Sequence, residues 1–271
     1  MNDLIVGILQ DEFGAKPLEN YRLVEKWLLE NYREADLVIL PEYSMLNILA
    51  GLKPEEAYRL AEELEDSEYL SKISDLAGKL DTYMLIHFIE KSREKPRSYS
   101  SSILVEPSGK YELVYRKIHL FDAYGYRESD YLLPGKQLSK TLVIKNIMLH
   151  IAICYDIRFP ELFRKYAYRG GHIVIVQAGW VKGPLKEEIL DFLATSRSHE
   201  NTMYLVVVNQ TGKMFTGRSG VFNPFGFKEL DLGFKPRYLE YALDPSIVGE
   251  ARKQIPVVKH SLNNWIIEFK K

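Results

Sequence analysis

The sequence predicts one α/β domain built around a mixed sheet layer, and three observations point there. Short apolar runs alternate with segments of helical periodicity through the whole 271-residue chain. Several of those runs are apolar at every position, not every second one, so helices are expected to cover them. Hairpin patterns interrupt the alternation and add antiparallel pairs to the βα order. No linker, internal repeat or low-complexity stretch divides the chain. The expectation is a single domain over 1–271, with a polar tail from about residue 250 that could pack on a partner subunit.

The elements follow in order. Leu4–Leu9 is a short apolar run, read as a strand. Pro17 opens a helix, with Leu18, Tyr21, Val24, Trp27 and Leu28 on one face and Pro in the first turn. Ala35–Leu40 is a second strand, stopped by Pro41-Glu42. Helical pattern returns from Pro54 to about Leu80, with a break near Asp66-Ser67. Thr82–Glu90, Tyr99–Glu106 and Glu112–Leu120 read as strands, the last two joined through the Pro107-Ser108-Gly109 turn. A Tyr- and Asp-rich loop, Phe121–Leu133, ends at Pro134-Gly135. Leu142–Ile144 and Ile147–Ile153 form a hairpin around Lys145-Asn146. Pro160–Arg169 is a helix closed by Gly170-Gly171. Then come a strand at His172–Val176, a helix at Pro184–Glu200, a strand at Tyr204–Val208, a Gly-rich loop at Thr211–Gly220, a turn at Asn223–Gly226 and a strand near Tyr238–Leu243.

Composition narrows the function. Hydrophobic residues make up 46% and charged residues 27%, ordinary values for a globular chain. With 36 Lys+Arg against 37 Asp+Glu, there is no long-range field to attract nucleic acid or an anionic membrane. The N-terminus MNDLIVGILQDEF lacks a basic n-region and a small-residue cleavage site, and no window approaches the ~18 uncharged apolar residues of a membrane span. One cysteine excludes an internal disulfide and a Cys-rich zinc site. The expectation is a soluble, cytoplasmic protein.

That cysteine, Cys154, ends the run Met148–Ile153 and precedes Tyr155-Asp156-Ile157-Arg158-Phe159-Pro160-Glu161. Strand, cysteine, tight loop and helix is an order that exposes a nucleophile at a sheet edge, and a nearby helix N-terminus favours a thiolate. A lone free cysteine is also commonly a small buried hydrophobe. A nucleophilic thiol needs a base and an oxyanion holder. Among the six histidines, His87 and His150 fall inside apolar strand patterns, and none is singled out as the base; His119 could equally support a neighbour. Carboxylates do better. Glu42 ends the most apolar strand, where its pKa would rise towards a useful range, although a solvated loop acid is the alternative. Lys117 closes another strand, where an ammonium could hold an oxyanion or simply protect an edge. An acid, an ammonium and a thiol at three strand ends make a coherent set.

Leu40-Pro41-Glu42, Tyr115–Phe121 and Ile153–Glu161 resemble, in that order, the three motifs of the nitrilase superfamily, the carbon–nitrogen hydrolases with a Glu-Lys-Cys triad. Gly217–Gly220 with Pro224-Phe225-Gly226 resembles the family's late loop and turn, and Arg197–Asn201 its Arg…Glu-Asn segment. The resemblance implies a four-layer αββα sandwich, paired as a homodimer or higher homo-oligomer, with no metal or organic cofactor. It implies Glu42 as proton carrier, Cys154 as nucleophile, Lys117 with the backbone N–H of Tyr155 as oxyanion holders, and Glu128 as a second glutamate positioning substrate and Lys117.

Within the superfamily the motifs look most like the ω-amidase and small-amidase branches, which implies hydrolysis of a small carboxamide. A nitrile or N-carbamoyl hydrolase would use the same triad, and a non-catalytic binding protein on the same fold is the different-class alternative. A substrate carboxylate calls for an arginine, and Arg158 is a candidate clamp; it could instead pair with Glu161 or Asp156 as structural support. Tyr43 and Trp180 are candidate pocket walls, with ordinary core packing as the other reading.

Overall fold

The computed structural model describes residues 3–269. Strand β1 (Leu4–Gln10) leads into α1 (Pro17–Asn31), started by its proline, and then β2 (Leu37–Ile39). The long helical stretch divides at the expected break into α2 (Pro54–Leu60) and α3 (Glu68–Leu80). Ser67 accepts a hydrogen bond from the Leu70 N–H at 2.9 Å, an N-cap that fixes the start of α3. Strands β3 (Tyr83–Lys91), β4 (Ser98–Val105) and β5 (Tyr111–Arg116) follow as an antiparallel meander. With β14 (Arg237–Leu243) they complete a six-stranded sheet of order β14-β1-β2-β3-β4-β5.

The second sheet comes from the other half of the chain. After a small hairpin of β6 (Asp122–Ala123) and β7 (Tyr126–Arg127) come β8 (Leu142–Ile144) and β9 (Ile147–Ile153). Helix α4 (Pro160–Tyr168), β10 (Ile173–Ala178), α5 (Lys186–Asn201) and β11 (Tyr204–Asn209) continue it. Strands β12 (Gly220–Phe222) and β13 (Lys228–Asp231) close the order β13-β12-β11-β10-β9-β8. In this sheet β9, β10 and β11 run parallel, as do β1, β2 and β3 in the first.

The alternation of side chains across a strand produces the layers. Leu37 and Ile39 of β2 join a core with Ile151, Val174 and Val176 of the second sheet. Val38 and Leu40 belong to a separate core with Val24 and Leu28 of α1 and Leu70 and Ile73 of α3. A strand buried on both faces has no polar side, which is why the sequence reads as continuously apolar there. The result is the expected four-layer αββα arrangement, and the carboxyl ends of β2, β9 and β10 deliver their following residues to one cleft.

Several boundaries differ from the sequence reading. The strand expected through Leu120 stops at Arg116, because Tyr115 and Asp156 capture the next backbone donors: the Ile118 N–H donates to the Tyr115 hydroxyl and the His119 N–H to Asp156. The loop Phe121–Leu133 holds the β6–β7 hairpin and a 3-10 turn at Glu128–Asp130. The Asn223–Gly226 turn closes a hairpin, β12–β13, whose Lys-Glu-Leu-Asp strand is too charged to announce itself. The polar tail is instead two helices, α6 (Ser246–Gln254) and α7 (Val257–Asn264). Helix α7 and the residues after it lie against α4: the Tyr168 hydroxyl meets Ser261 at 2.6 Å and Lys165 donates to the Ile267 carbonyl at 2.8 Å. Among the described residues no helix is long and apolar enough to cross a membrane.

Candidate active site

Glu42, Lys117 and Cys154 each follow directly on the end of a strand or its last extended residues, and the two sheets bring them together. The Lys117 ammonium donates to Glu42 at 2.8 Å and to Glu128 at 2.8 Å. Lys117 and Glu42 are each 1% exposed and Glu128 is fully buried. An ion cluster this deep is stable only if its charges are matched and its lone pairs filled. Glu128 also accepts from the Tyr43 hydroxyl at 2.8 Å and the Phe121 N–H at 2.6 Å. Glu42 accepts from the Gly179 N–H at 2.8 Å. A side chain at position 179 would meet Glu42, Tyr43 and Phe215, so only glycine lets the backbone donor come this close.

Electrostatics differentiate the members. Burial pushes the Glu42 carboxyl above its ordinary range, with Lys117 pulling the other way and Glu128 reinforcing the rise. Burial disfavours the Lys117 ammonium, but Glu128 and Glu42 outweigh it and hold the group well above its usual value. The Cys154 thiol is pushed well up by burial and by the neighbouring Glu42 charge. The expected help from a helix N-terminus therefore does not leave a resting thiolate. A neutral thiol beside a carboxyl of raised pKa is an arrangement that could pass a proton between the two groups.

The backbone is strained where these groups sit. Cys154 has φ +44° and Tyr43 φ +63°, conformations that non-glycine residues hold only under strong local constraint. Asp156 supplies that constraint at the thiol. It is fully buried and accepts from the Ile153 N–H at 2.9 Å, the Tyr115 hydroxyl at 2.8 Å, and His119 through its N–H at 3.1 Å and Nδ1 at 2.7 Å. One carboxylate thereby ties the Lys117 segment to the Cys154 turn. Arg197 of α5 braces the same turn, its Nε donating to the Ile157 carbonyl at 2.9 Å. At Tyr43, the backbone N–H donates to His87 Nδ1 at 3.0 Å, and His87 Nε2 meets Ser100 at 2.7 Å. His87 is thus a satisfied core residue, and burial, seconded by Lys117, keeps it neutral.

The cluster opens on a cleft of about 720 Å³ whose lining includes Tyr43, Tyr155, Arg158 and Trp180, all four named from sequence. Tyr43 is buried and doubles as a hydrogen-bond partner of Glu128. Trp180 is buried, and its backbone N–H donates to Asn209 at 2.8 Å. Arg158 pairs with neither Asp156 nor Glu161: Asp156 is saturated by other donors, and Arg158 Nε and Nη2 are buried without a hydrogen-bond partner. Its guanidinium instead lies 4.8 Å from the Trp180 ring centroid. Nε and Nη2 are the two donors that one carboxylate spans side-on.

Sequence reasoning missed Gly179, Phe121, Tyr126 and Lys186 around the cleft. It also missed Gln210, whose side chain donates to the Glu42 carbonyl at 2.8 Å. A readable signal existed for the last: Asn209-Gln210 is a buried polar pair at the end of an otherwise apolar strand. Among the described residues no group of three or more His, Cys, Asp or Glu side chains could hold a metal ion.

A two-sheet αββα sandwich with an acid, an ammonium and a thiol meeting at strand ends defines a hydrolase of the nitrilase superfamily. The chain belongs to the carbon-nitrogen hydrolase family, whose description it matches over residues 15–253. It is similar to a hydrolase of Schizosaccharomyces pombe, 31% identical over 93% of this chain and 80% of that one. It is also similar to the deaminated glutathione amidase of Escherichia coli O157:H7, 32% identical over 54% of this chain and 56% of that one. The fold superposes on the C. elegans NitFhit protein with a TM-score of 0.89 at 22% identity, covering all of this chain and 68% of that one.

Proposed function

We propose that this carbon–nitrogen hydrolase cleaves the terminal amide of a small carboxamide that carries a carboxylate, through a thioester on Cys154. Glu42 takes the Sγ proton as sulfur attacks the carbonyl carbon. The Lys117 ammonium and the Tyr155 backbone N–H hold the oxyanion that forms. Collapse of that adduct breaks the C–N bond, and Glu42 returns its proton to the departing ammonia. Water then attacks the thioester, Glu42 takes its proton, and the free acid leaves with Cys154 again a thiol. Glu128 positions Lys117 and the substrate amide, with Tyr43 holding Glu128 in turn.

The observation that carries the reading is the thiol of raised pKa next to Glu42, itself joined to Lys117 at 2.8 Å. The unpartnered Nε and Nη2 of Arg158 support a substrate carboxylate, and Tyr43 and Trp180 wall the site. The similar protein named deaminated glutathione amidase agrees with an amide substrate.

The test is ammonia release from matched panels of carboxamides, nitriles and N-carbamoyl compounds, by the wild type and Cys154→Ala. Glutaramate is expected to turn over only in the wild type, and Arg158→Met to raise its KM by about 10-fold, the loss of one charge-assisted pair of hydrogen bonds. Release from nitriles or carbamoyl compounds alone, or carboxamides that fail to slow alkylation of Cys154, would sink the amidase reading.

A further inference from the structure

Lys186 occupies surroundings built for a cation, aromatic faces with no carboxylate within ion-pair reach among the described residues. It is the first residue of α5, where the helix dipole works against positive charge. Among the described residues it makes no ion pair. Its ammonium instead lies 4.1 Å from the ring centroid of Tyr124, 5.5 Å from that of Trp180 and 5.8 Å from that of Phe121. The Trp180 Nε1–H donates to the Lys186 carbonyl at 2.8 Å, so the indole and the lysine are fixed to each other. Aromatic faces hold an ammonium in place without neutralising it.

Arg158 leans on the same indole and is likewise unneutralised. The two carboxylates lining the cleft, Glu42 and Glu128, are both committed to Lys117. Lys182, the remaining lining cation, donates to the Gly212 carbonyl at 2.6 Å and, unlike Arg158 and Lys186, does not lie over the Trp180 ring. One wall of the cleft therefore carries two uncompensated positive charges around Trp180, one more than a single substrate carboxylate needs.

We propose that Lys186 is a specificity-determining residue that recognises a second anionic group on the acyl side of the substrate, beyond the carboxylate held by Arg158. This rests on the amidase reading above and adds a requirement to it: a primary amide whose acid portion is a dianion.

The test uses a matched pair of primary amides, N-acetylglutamine with one carboxylate and N-succinylglutamine with two, bound to the Cys154→Ala protein and followed by calorimetry. The dianion is expected to bind about 10-fold tighter, and the preference to shrink as salt rises. Adding Lys186→Met is expected to bring the ratio of the two dissociation constants close to one, while Lys186→Arg keeps it. Lys186→Gln serves if the Met variant fails to fold. A ratio near one in the Cys154→Ala parent, failure of both ligands to bind it, or a ratio that Lys186→Met leaves intact would overturn the proposal. Turnover of the same compounds by the wild type is read separately. Selective binding without ammonia release would remove the amidase reading and leave Lys186 as an anion-recognition residue, whereas ammonia release without selectivity would do the reverse.

Discussion

Replacing Lys117 by Met keeps the length of the side chain and removes its charge, leaving Glu42 and Glu128 face to face in the protein interior. Each carboxylate has an oxygen 2.8 Å from the same nitrogen, so those oxygens lie no more than about 5.6 Å apart. Two unit charges at that separation repel by about 3 kcal/mol at an effective dielectric of 20. The alternative is for one carboxyl to take up a proton, which at pH 7 costs about 3.7 kcal/mol for an acid of ordinary pKa near 4.3. Both routes put the loss of stability near 3–4 kcal/mol, in the range found when one partner of a buried pair is removed. The routes separate on pH. A carboxyl whose folded pKa is raised above its unfolded value binds a proton in the folded chain first, so its contribution to stability falls as pH rises. The deficit of Lys117→Met against wild type, from urea unfolding, is therefore expected to shrink from about 4 kcal/mol at pH 7 to about 1 kcal/mol at pH 5. Adding Glu128→Gln should recover most of it at pH 7. A deficit of equal size at both pH values would refute the protonation route and leave both acids charged, whereas no deficit at either pH would refute the argument that Lys117 compensates two buried acids.

Three other perturbations follow from the same geometry. Glu42→Gln keeps the hydrogen-bonding shape but cannot take a proton, so acylation should drop by about 10²–10⁴-fold, seen as no thioester mass in a quenched reaction; a normal burst would remove Glu42 as the base. Asp156→Asn replaces an acceptor of four hydrogen bonds by a group that accepts at most two, and should cost roughly 2–3 kcal/mol in unfolding and slow alkylation of Cys154. Full retention of both would show that the Cys154 turn holds itself. Burial pushes the His150 imidazole down to about 4 and keeps it neutral in the folded chain. The unfolded chain binds that proton below about pH 6.5, so stability should fall from pH 6.5 to pH 4 by about 3 kcal/mol, and His150→Gln should flatten that slope.

The layers and the candidate triad were legible because both depend on sharp transitions. Leu37–Leu40 is apolar on both faces and then stops at Pro41-Glu42, and Ile147–Ile153 stops as abruptly at Cys154. What escaped lacks any such edge. The Gly179 N–H reaches Glu42 through backbone, which carries no sequence label, and Gln210 meets the Glu42 carbonyl across a long separation in the chain. Helix α6 buries only Val248 and Ala251 of its nine residues, too thin a stripe to distinguish from a polar tail. The role of Arg158 was open between Asp156, Glu161 and a ligand. It narrowed once Asp156 proved to be filled by backbone and by Tyr115 and His119, partners no local pattern announces.

Gln177 lies in the seam between the two sheets. Its amide donates to the Leu40 carbonyl at 2.7 Å, and its carbonyl accepts from Ser102 at 2.6 Å. Glu42 and Lys117 belong to one sheet and Cys154 and Gly179 to the other, so the spacing of the sandwich is also the spacing of the cluster. On the proposed mechanism, a core substitution that spreads the sheets by a fraction of an ångström would slow proton transfer while leaving every cleft residue in place. The geometry of the cluster is thus set by interior packing that both halves of the chain supply.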